Sequence, residues 1–107
     1  LFFKRLKSED YKINFYYLWI PDVKLALKRI AERVKKGGHH IPEKTVRRRF
    51  LKGLSHFFRF YAPLANAWYL FDNSQSKPDL IARVREGKLY IRIPELFHQI
   101  KQQVKIQ

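Results

Sequence analysis

The segment INFYYLWI, residues 13–20, decides the fold. It is a nearly continuous run of apolar and aromatic side chains, and its length and β-rich composition favour a strand buried on both faces, as in a parallel sheet. A second run of this kind, AWYLF, occupies residues 67–71. Two buried strands that are joined through helices are most simply parallel neighbours, so the sequence predicts an α/β fold.

The connecting segment, residues 22–62, predicts two helices that form a lid-like crossover. The first helix is expected over Val23–Lys36, with Asp22 as its N-cap. Gly37 and Gly38 end this helix, since glycine adopts the left-handed C-cap conformation at low cost.

The second helix of the crossover is expected to begin at Pro42 and to end at Tyr61. Its apolar residues follow one helical stripe: Val46, Phe50, Leu54, Phe57 and Tyr61. Beyond the second strand, Leu80–Arg85 and Lys88–Ile93 predict a β-hairpin. Pro94 then starts a terminal helix, in which Leu96, Ile100 and Val104 share one side.

Composition limits the functional classes. Twenty-three Lys and Arg against nine Asp and Glu give a net charge of +14, which implies an anionic partner such as nucleic acid, nucleotide phosphates or a membrane surface. The aromatic content of 16% excludes a disordered tail. The absence of cysteine excludes disulfides and thiolate zinc sites and is compatible with the cytoplasm, where we expect the protein. No stretch approaches the roughly 18 apolar residues of a membrane span.

Ligands of α/β sheets bind beyond the carboxyl ends of the strands. The two ends are residues 20–22 and 72–74, and the crossover carries an arginine triplet, residues 47–49, that can reach over this edge. Guanidinium groups bind phosphate oxygens through two parallel hydrogen bonds and stabilise charge in phosphoryl transfer. The sequence therefore predicts a phosphate-gripping lid that hinges at Gly37 and Gly38.

Five segments carry a resemblance to a known family: LWIP (18–21), ALKRIAERV (26–34), GGHHIP (37–42), VRRRF (46–50) and WYLFDNS (68–74). In this order, over roughly residues 9–95, they resemble the carboxyl-terminal half of the zeta-toxin-like P-loop kinases, also called predicted ABC-type ATPases. The glycine pair with its flanking residues, followed by the arginines, is the most specific part of the resemblance.

The resemblance implies that residues 1–107 are a single partial domain of a nucleotide kinase. It implies ATP and Mg²⁺ as cofactors and a small phosphate acceptor, which in characterised zeta toxins is a UDP-activated amino sugar. Whether the protein is a toxin or a housekeeping kinase is left open. By the family pattern, three groups of residues form the site: Arg33, Arg47 and Arg48 at the ATP phosphates, Asp72 and Asn73 near the nucleotide, and Gly37, Gly38 and His39 in the lid loop. Which arginine of the triplet contacts phosphate is also left open.

One departure from the family is severe, because the Gly-x-x-x-x-Gly-Lys-Ser/Thr loop is absent. The nearest candidate, Gly87-Lys88, is followed by Leu89 and falls in a hairpin. The chain has no methionine and opens on Leu1, so we expect an internal piece of a longer enzyme. Alone it should bind anions weakly, transfer no phosphate and self-associate through uncovered strand edges.

Two other functional classes compete with the kinase hypothesis: a basic nucleic-acid-binding module and a structural fragment. The kinase hypothesis predicts positive charge on the crossover helices, whereas nucleic-acid binding predicts a continuous basic stripe and strong salt dependence. His39 and His40 could bind a metal or form a plain loop, and residues 72–74 could form a simple turn.

Overall fold

The run at residues 13–20 forms an edge strand in the computed structural model, which describes residues 2–106. The elements in chain order are α1 (Phe2–Ser8), β1 (Asn14–Trp19), α2 (Val23–Lys35), α3 (Glu43–His56), β2 (Ala67–Asp72), β3 (Asp79–Arg85), β4 (Lys88–Ile91) and α4 (Pro94–Ile106). None of the helices within the described range combines the length and the apolar character that crossing a bilayer requires.

The four strands form one mixed sheet in the order β1-β2-β3-β4. β1 and β2 are parallel, with Phe15 opposite Trp68, which confirms the predicted pairing. β3 and β4 extend the sheet in antiparallel fashion, so the prediction of a parallel sheet is correct only for the first pair. The reason is the connection between β2 and β3, residues 73–78, because it is too short for the crossover that parallel neighbours need.

The ends of α2 are formed as the sequence predicts. The Asp22 carboxylate accepts a hydrogen bond from the Leu25 backbone N–H at 2.9 Å. At the other end, Gly37 has a φ of 95°, and its N–H donates to the carbonyl of Val34 at 3.0 Å. The Gly38 N–H donates to the carbonyl of Arg33 at 2.8 Å. Together these two bonds form the Schellman motif that ends the helix.

The predicted second helix is divided into three segments. α3 is preceded by Pro42 as its N-cap and continues into a π-helical turn, Phe57–Tyr61, and a short 3-10 turn, Ala62–Leu64. The prediction of one regular helix to Tyr61 is therefore wrong. In the π-helical turn the consecutive rings of Phe57 and Phe58 both meet Trp68 edge to face, at centroid distances of 5.7 and 5.9 Å.

The core lies between the helices and one face of the sheet. Its buried members are Trp19, Leu54, Phe57, Trp68, Leu70, Ile81, Ala82 and Ile100. α4 contributes Ile100, which is fully buried, and packs Leu96 and Val104 beside it, as predicted. The predicted helical stripe of α3 is buried at Val46 and Leu54.

The opposite face of the sheet is open. Tyr16 and Leu18 on β1 are 63% and 53% exposed. The expectation that β1 is buried on both faces is therefore wrong for the described chain. Because side chains alternate along a strand, the helices cover only Phe15, Tyr17 and Trp19.

Candidate functional site

Two cavities of about 510 Å³ each lie beside β1. The end cavity, at the carboxyl end of β1, is lined by Tyr17, Leu18, Trp19, Ile20, Ala26, Ile30, Ile41, Val46, Arg49, Phe50, Leu51, Leu54 and Gln103. The edge groove, between β1 and α3, is lined by Phe15, Tyr16, Tyr17, Arg48, Arg49, Lys52, Gly53, His56, Phe57 and Tyr61. Tyr17 and Arg49 line both, so the two cavities are neighbours.

The edge groove is cationic. Arg48, Lys52 and His56 recur every four residues along α3 and so lie on one side of the helix. Arg49 adds a second guanidinium at the boundary with the end cavity. Aromatic rings form much of the remaining wall, and apolar walls strengthen the attraction of Arg48, Arg49 and Lys52 for an anion. The described residues that line the groove include no Asp or Glu.

The end cavity has a different character. Arg49 is its single charged residue among the described ones, and its other walls are mainly apolar side chains from β1, α2 and α3. It opens where the chain leaves β1 for the crossover. In parallel α/β pairs this is the end of the strand at which ligands bind. The end cavity can therefore hold the less polar part of a ligand whose anionic part lies in the groove.

Of the three predicted phosphate-binding arginines, only Arg48 lines a cavity. Arg47 lies on the solvent side of α3, where its Nη2 is 3.4 Å from Oε1 of Glu43 in an exposed ion pair. Such a pair contributes at most about 0.5 kcal/mol. Arg33 is exposed on α2 and lines neither cavity. The structure thus separates Arg48 from Arg47 although the two are adjacent in sequence.

Asp72 and Asn73 connect the ends of the two parallel strands. The Asp72 carboxylate accepts a hydrogen bond from the Ser74 backbone N–H at 3.0 Å. The Asn73 N–H donates to the Trp19 carbonyl at 2.7 Å. The first bond forms a turn of the kind that Asp stabilises through its own side chain, and the second joins the ends of the two strands. Neither residue lines the two cavities, so the nucleotide-binding role of these residues stays a prediction.

The predicted lid loop follows α2 directly. A Cβ on Gly38 would lie 2.9 Å from the carbonyl oxygen of Arg33, so the chain passes too close to the helix end for any side chain there. His39 and His40 are exposed. Within residues 2–106, no three His, Asp or Glu side chains form a group that could hold a metal ion.

The prediction from the sequence left Arg49 open within the triplet and missed two further residues of the edge groove, Lys52 and His56. The four-residue spacing from Arg48 through Lys52 to His56 is a signal that could have identified these two. It requires knowing which side of α3 faces β1.

Positive charge is concentrated in the crossover. Residues 22–62 hold twelve of the Lys and Arg residues and three of the Asp and Glu residues, for a net charge of +9 out of +14. Further cations, Arg83, Arg85 and Lys88, lie on the open face of the sheet.

In comparisons with known proteins, the chain matches no family model, no curated protein and no solved structure. The class of protein is therefore defined by the fold: an α/β protein with a four-stranded mixed sheet and a cationic crossover.

Proposed function

We propose that this chain is the phosphate-gripping, lid-bearing part of an ATP-dependent phosphotransferase of the zeta-toxin-like type. The observation that supports this proposal most directly is the position of Arg48 and Arg49 beside β1, in adjoining cavities that reach the carboxyl end of the strand. The resemblance of the glycine pair and the arginine triplet to that family supports the same reaction class.

In this proposal the triphosphate lies in the edge groove. Arg48 and Arg49 each present a planar fork of N–H donors, and Lys52 adds a point charge. Catalysis of phosphoryl transfer consists largely of positioning and of neutralising the charge that spreads over the transferred group. When bound, ATP supplies the phosphoryl group. The part of this chain is to hold the phosphates and to exclude water from them.

The experiment is a titration of the protein with ATP and Mg²⁺, followed by NMR through the side-chain Nε–H signals of its arginines. We expect Arg48→Ala to weaken binding by roughly ten-fold or more, because hydrogen bonds to charged groups contribute about 1.5–3 kcal/mol. The charge-matched control is Arg59→Ala, an exposed residue of the π-helical turn that lines neither cavity.

Arg47→Ala separates the two adjacent arginines. Because Arg47 pairs with Glu43 at the surface, its loss should change ATP binding no more than the loss of Arg59 does. Equal effects of Arg48→Ala and Arg59→Ala would show that the groove does not hold phosphate, and the proposal would then fail. Inorganic triphosphate in place of ATP tests whether the phosphates alone are recognised.

A further inference from the structure

The open face of the sheet carries a ladder of stacked aromatic rings. Tyr16 on β1 and Tyr69 on β2 lie with centroids 4.9 Å apart and planes 9° from parallel. Phe71 stacks with both at 6.5 Å, at angles of 15° and 19°. On the other side of Tyr69, the guanidinium carbon of Arg85 lies 5.4 Å from the ring centroid, and its Nε donates to the Tyr69 hydroxyl at 2.8 Å. We call Tyr16, Tyr69, Phe71 and Arg85 the aromatic ladder.

Among the described residues, the stack of rings ends at Tyr16. β1 has a partner strand on one side only, and Tyr69 covers the face of Tyr16 that looks toward β2. Tyr16 is nevertheless 63% exposed. Its second face therefore looks toward the free edge of the sheet, where another flat π-system can continue the stack.

The part of this face that β3 and β4 form is basic. Arg83 places its guanidinium carbon 4.9 Å from the centroid of Tyr90, and Lys88 follows on β4 opposite Arg85. The hydrogen bond to Tyr69 raises the pKa of Arg85, so this guanidinium stays charged. The strand residues that share this face, by alternation and register, are Asn14, Tyr16, Leu18, Ala67, Tyr69, Phe71, Leu80, Arg83, Arg85, Lys88 and Tyr90. These described residues include no Asp or Glu.

We propose that the aromatic ladder and the cations beside it bind single-stranded nucleic acid, with one base stacked on the free face of Tyr16. Bases stack on aromatic side chains while a basic surface follows the phosphates, and this combination is typical of single-strand binding. The cations and rings extend over four strands, or about 14 Å at the usual strand spacing. One nucleotide cannot cover that width, whereas a strand of several nucleotides can. A duplex keeps its bases stacked internally and cannot use the ladder.

Tyr16 also lines the edge groove, but this proposal does not rest on the proposed phosphotransferase activity, because its cations are Arg83, Arg85 and Lys88 and not Arg48, Arg49 or Lys52. Its test is fluorescence anisotropy of the whole chain with a labelled single-stranded oligothymidylate of about twelve nucleotides. We expect Tyr16→Ala to weaken binding about ten-fold, since stacking contributes about 1–3 kcal/mol per base. Tyr16→Phe keeps the ring and should keep the affinity. Tyr11→Ala, which removes a 58% exposed tyrosine that precedes β1, is the matched control.

Salt dependence separates ladder binding from general attraction to a basic protein. Replacing Arg83 and Arg85 by Gln should reduce the slope of log affinity against log salt by about 1.4 in total, whereas Lys24→Gln with Lys28→Gln on α2 should leave it unchanged. The substitutions Tyr16→Trp and Tyr11→Trp give a second readout. The oligonucleotide should quench the fluorescence of the tryptophan that Tyr16→Trp adds and leave that of Tyr11→Trp unchanged. Arg48→Ala with Arg49→Ala should preserve this quenching even if ATP binding is lost.

Three results would overturn the proposal. The first is an equal loss of affinity in Tyr16→Ala and Tyr11→Ala. The second is duplex DNA that binds as tightly as the single strand. The third is a dimer that Tyr16→Ala dissociates, which would assign the open face to a second copy of the chain.

Discussion

Gly53 lies in the interior of α3, where the hydroxyl of Tyr17 from β1 approaches it. A Cβ on Gly53 would be 3.1 Å from Tyr17 Oη and 3.9 and 4.0 Å from the nearest ring carbons, Cε2 and Cζ. Only the oxygen is closer than an ordinary van der Waals contact. Glycine inside a helix is about 1 kcal/mol less favourable than alanine. The substitution Gly53→Ala therefore combines a gain in helix stability with one tight contact.

We expect these effects to offset each other, so that Gly53→Ala alone changes the free energy of unfolding by less than about 0.5 kcal/mol. In a Tyr17→Phe background the oxygen is absent and the remaining contacts are ordinary. There the same substitution should stabilise the protein by about 1 kcal/mol, a coupling of roughly 0.5–1.5 kcal/mol between the two positions.

The assay is urea unfolding of the four proteins of this double-mutant cycle, followed by the fluorescence of the buried residues Trp19 and Trp68. If Gly53→Ala stabilises both backgrounds equally, the Tyr17 ring does not press on α3 and the described contact between β1 and the helix is wrong. If it destabilises both strongly, an atom other than the hydroxyl blocks the site.

Two further predictions concern single residues, Tyr17 and Gly37. Burial raises the pKa of Tyr17, so the folded state keeps the phenol proton at a pH where the unfolded state has lost it. The stability that this group contributes is complete below about pH 10 and is lost as the pH rises through the higher folded pKa. Urea unfolding at stepped alkaline pH should show a smaller loss in Tyr17→Phe than in Tyr16→Phe, and equal losses would contradict the burial. At Gly37, whose φ is 95°, Gly37→Ala should cost about 1–2 kcal/mol in thermal unfolding and Gly37→Asn less, whereas no cost in either would contradict the left-handed cap.

Much of the fold follows from local signals in the sequence. Three kinds of signal act through neighbouring residues: the Asp22 cap, the glycine pair Gly37-Gly38 and the two apolar runs. A crossover of two helices leaves parallel pairing as the simple solution for the strands that it joins. These features were predicted correctly, with helix α2 ending within one residue of its expected end.

The open face of the sheet could not be recognised from residues 13–20. Tyr16 and Leu18 are as apolar as the residues that the helices cover, so the alternation that marks a half-exposed strand is hidden. Arg83 and Arg85 do alternate with apolar neighbours on β3. This signal indicates a polar face, but only the register places it beside Tyr69 and Tyr16.

The choice among the three arginines depends on tertiary packing. Successive residues on a helix differ by about 100° in direction, so the three arginines of the triplet spread over about 200° and cannot all face one groove. The resemblance to the kinase family compares residues by their position in the sequence, and it assigns phosphate binding to both Arg47 and Arg48. The position of α3 against β1 determines that Arg48 enters the groove while Arg47 pairs with Glu43.

The free edge of β1 is the surface through which we expect the chain to self-associate. The carbonyls of Ile13 and Trp19 accept hydrogen bonds from the β2 side, through Asn66 and Asn73. In a parallel pair the N–H and C=O of one residue point to the same side, so those of alternate residues such as Tyr16 point outward, where a second chain can bond to them.

Each copy carries a net charge of +14, and this charge opposes the pairing of two edges. We therefore expect sedimentation to show a monomer at low ionic strength. Association should increase as salt shortens the screening length from about 30 Å at 0.01 M to about 8 Å at 0.15 M. Association that is insensitive to salt, or stronger at low salt, would mean that the contact is not limited by this repulsion. An anion that neutralises the cations beside the edge, on the groove side or on the ladder side, should promote pairing as added salt does.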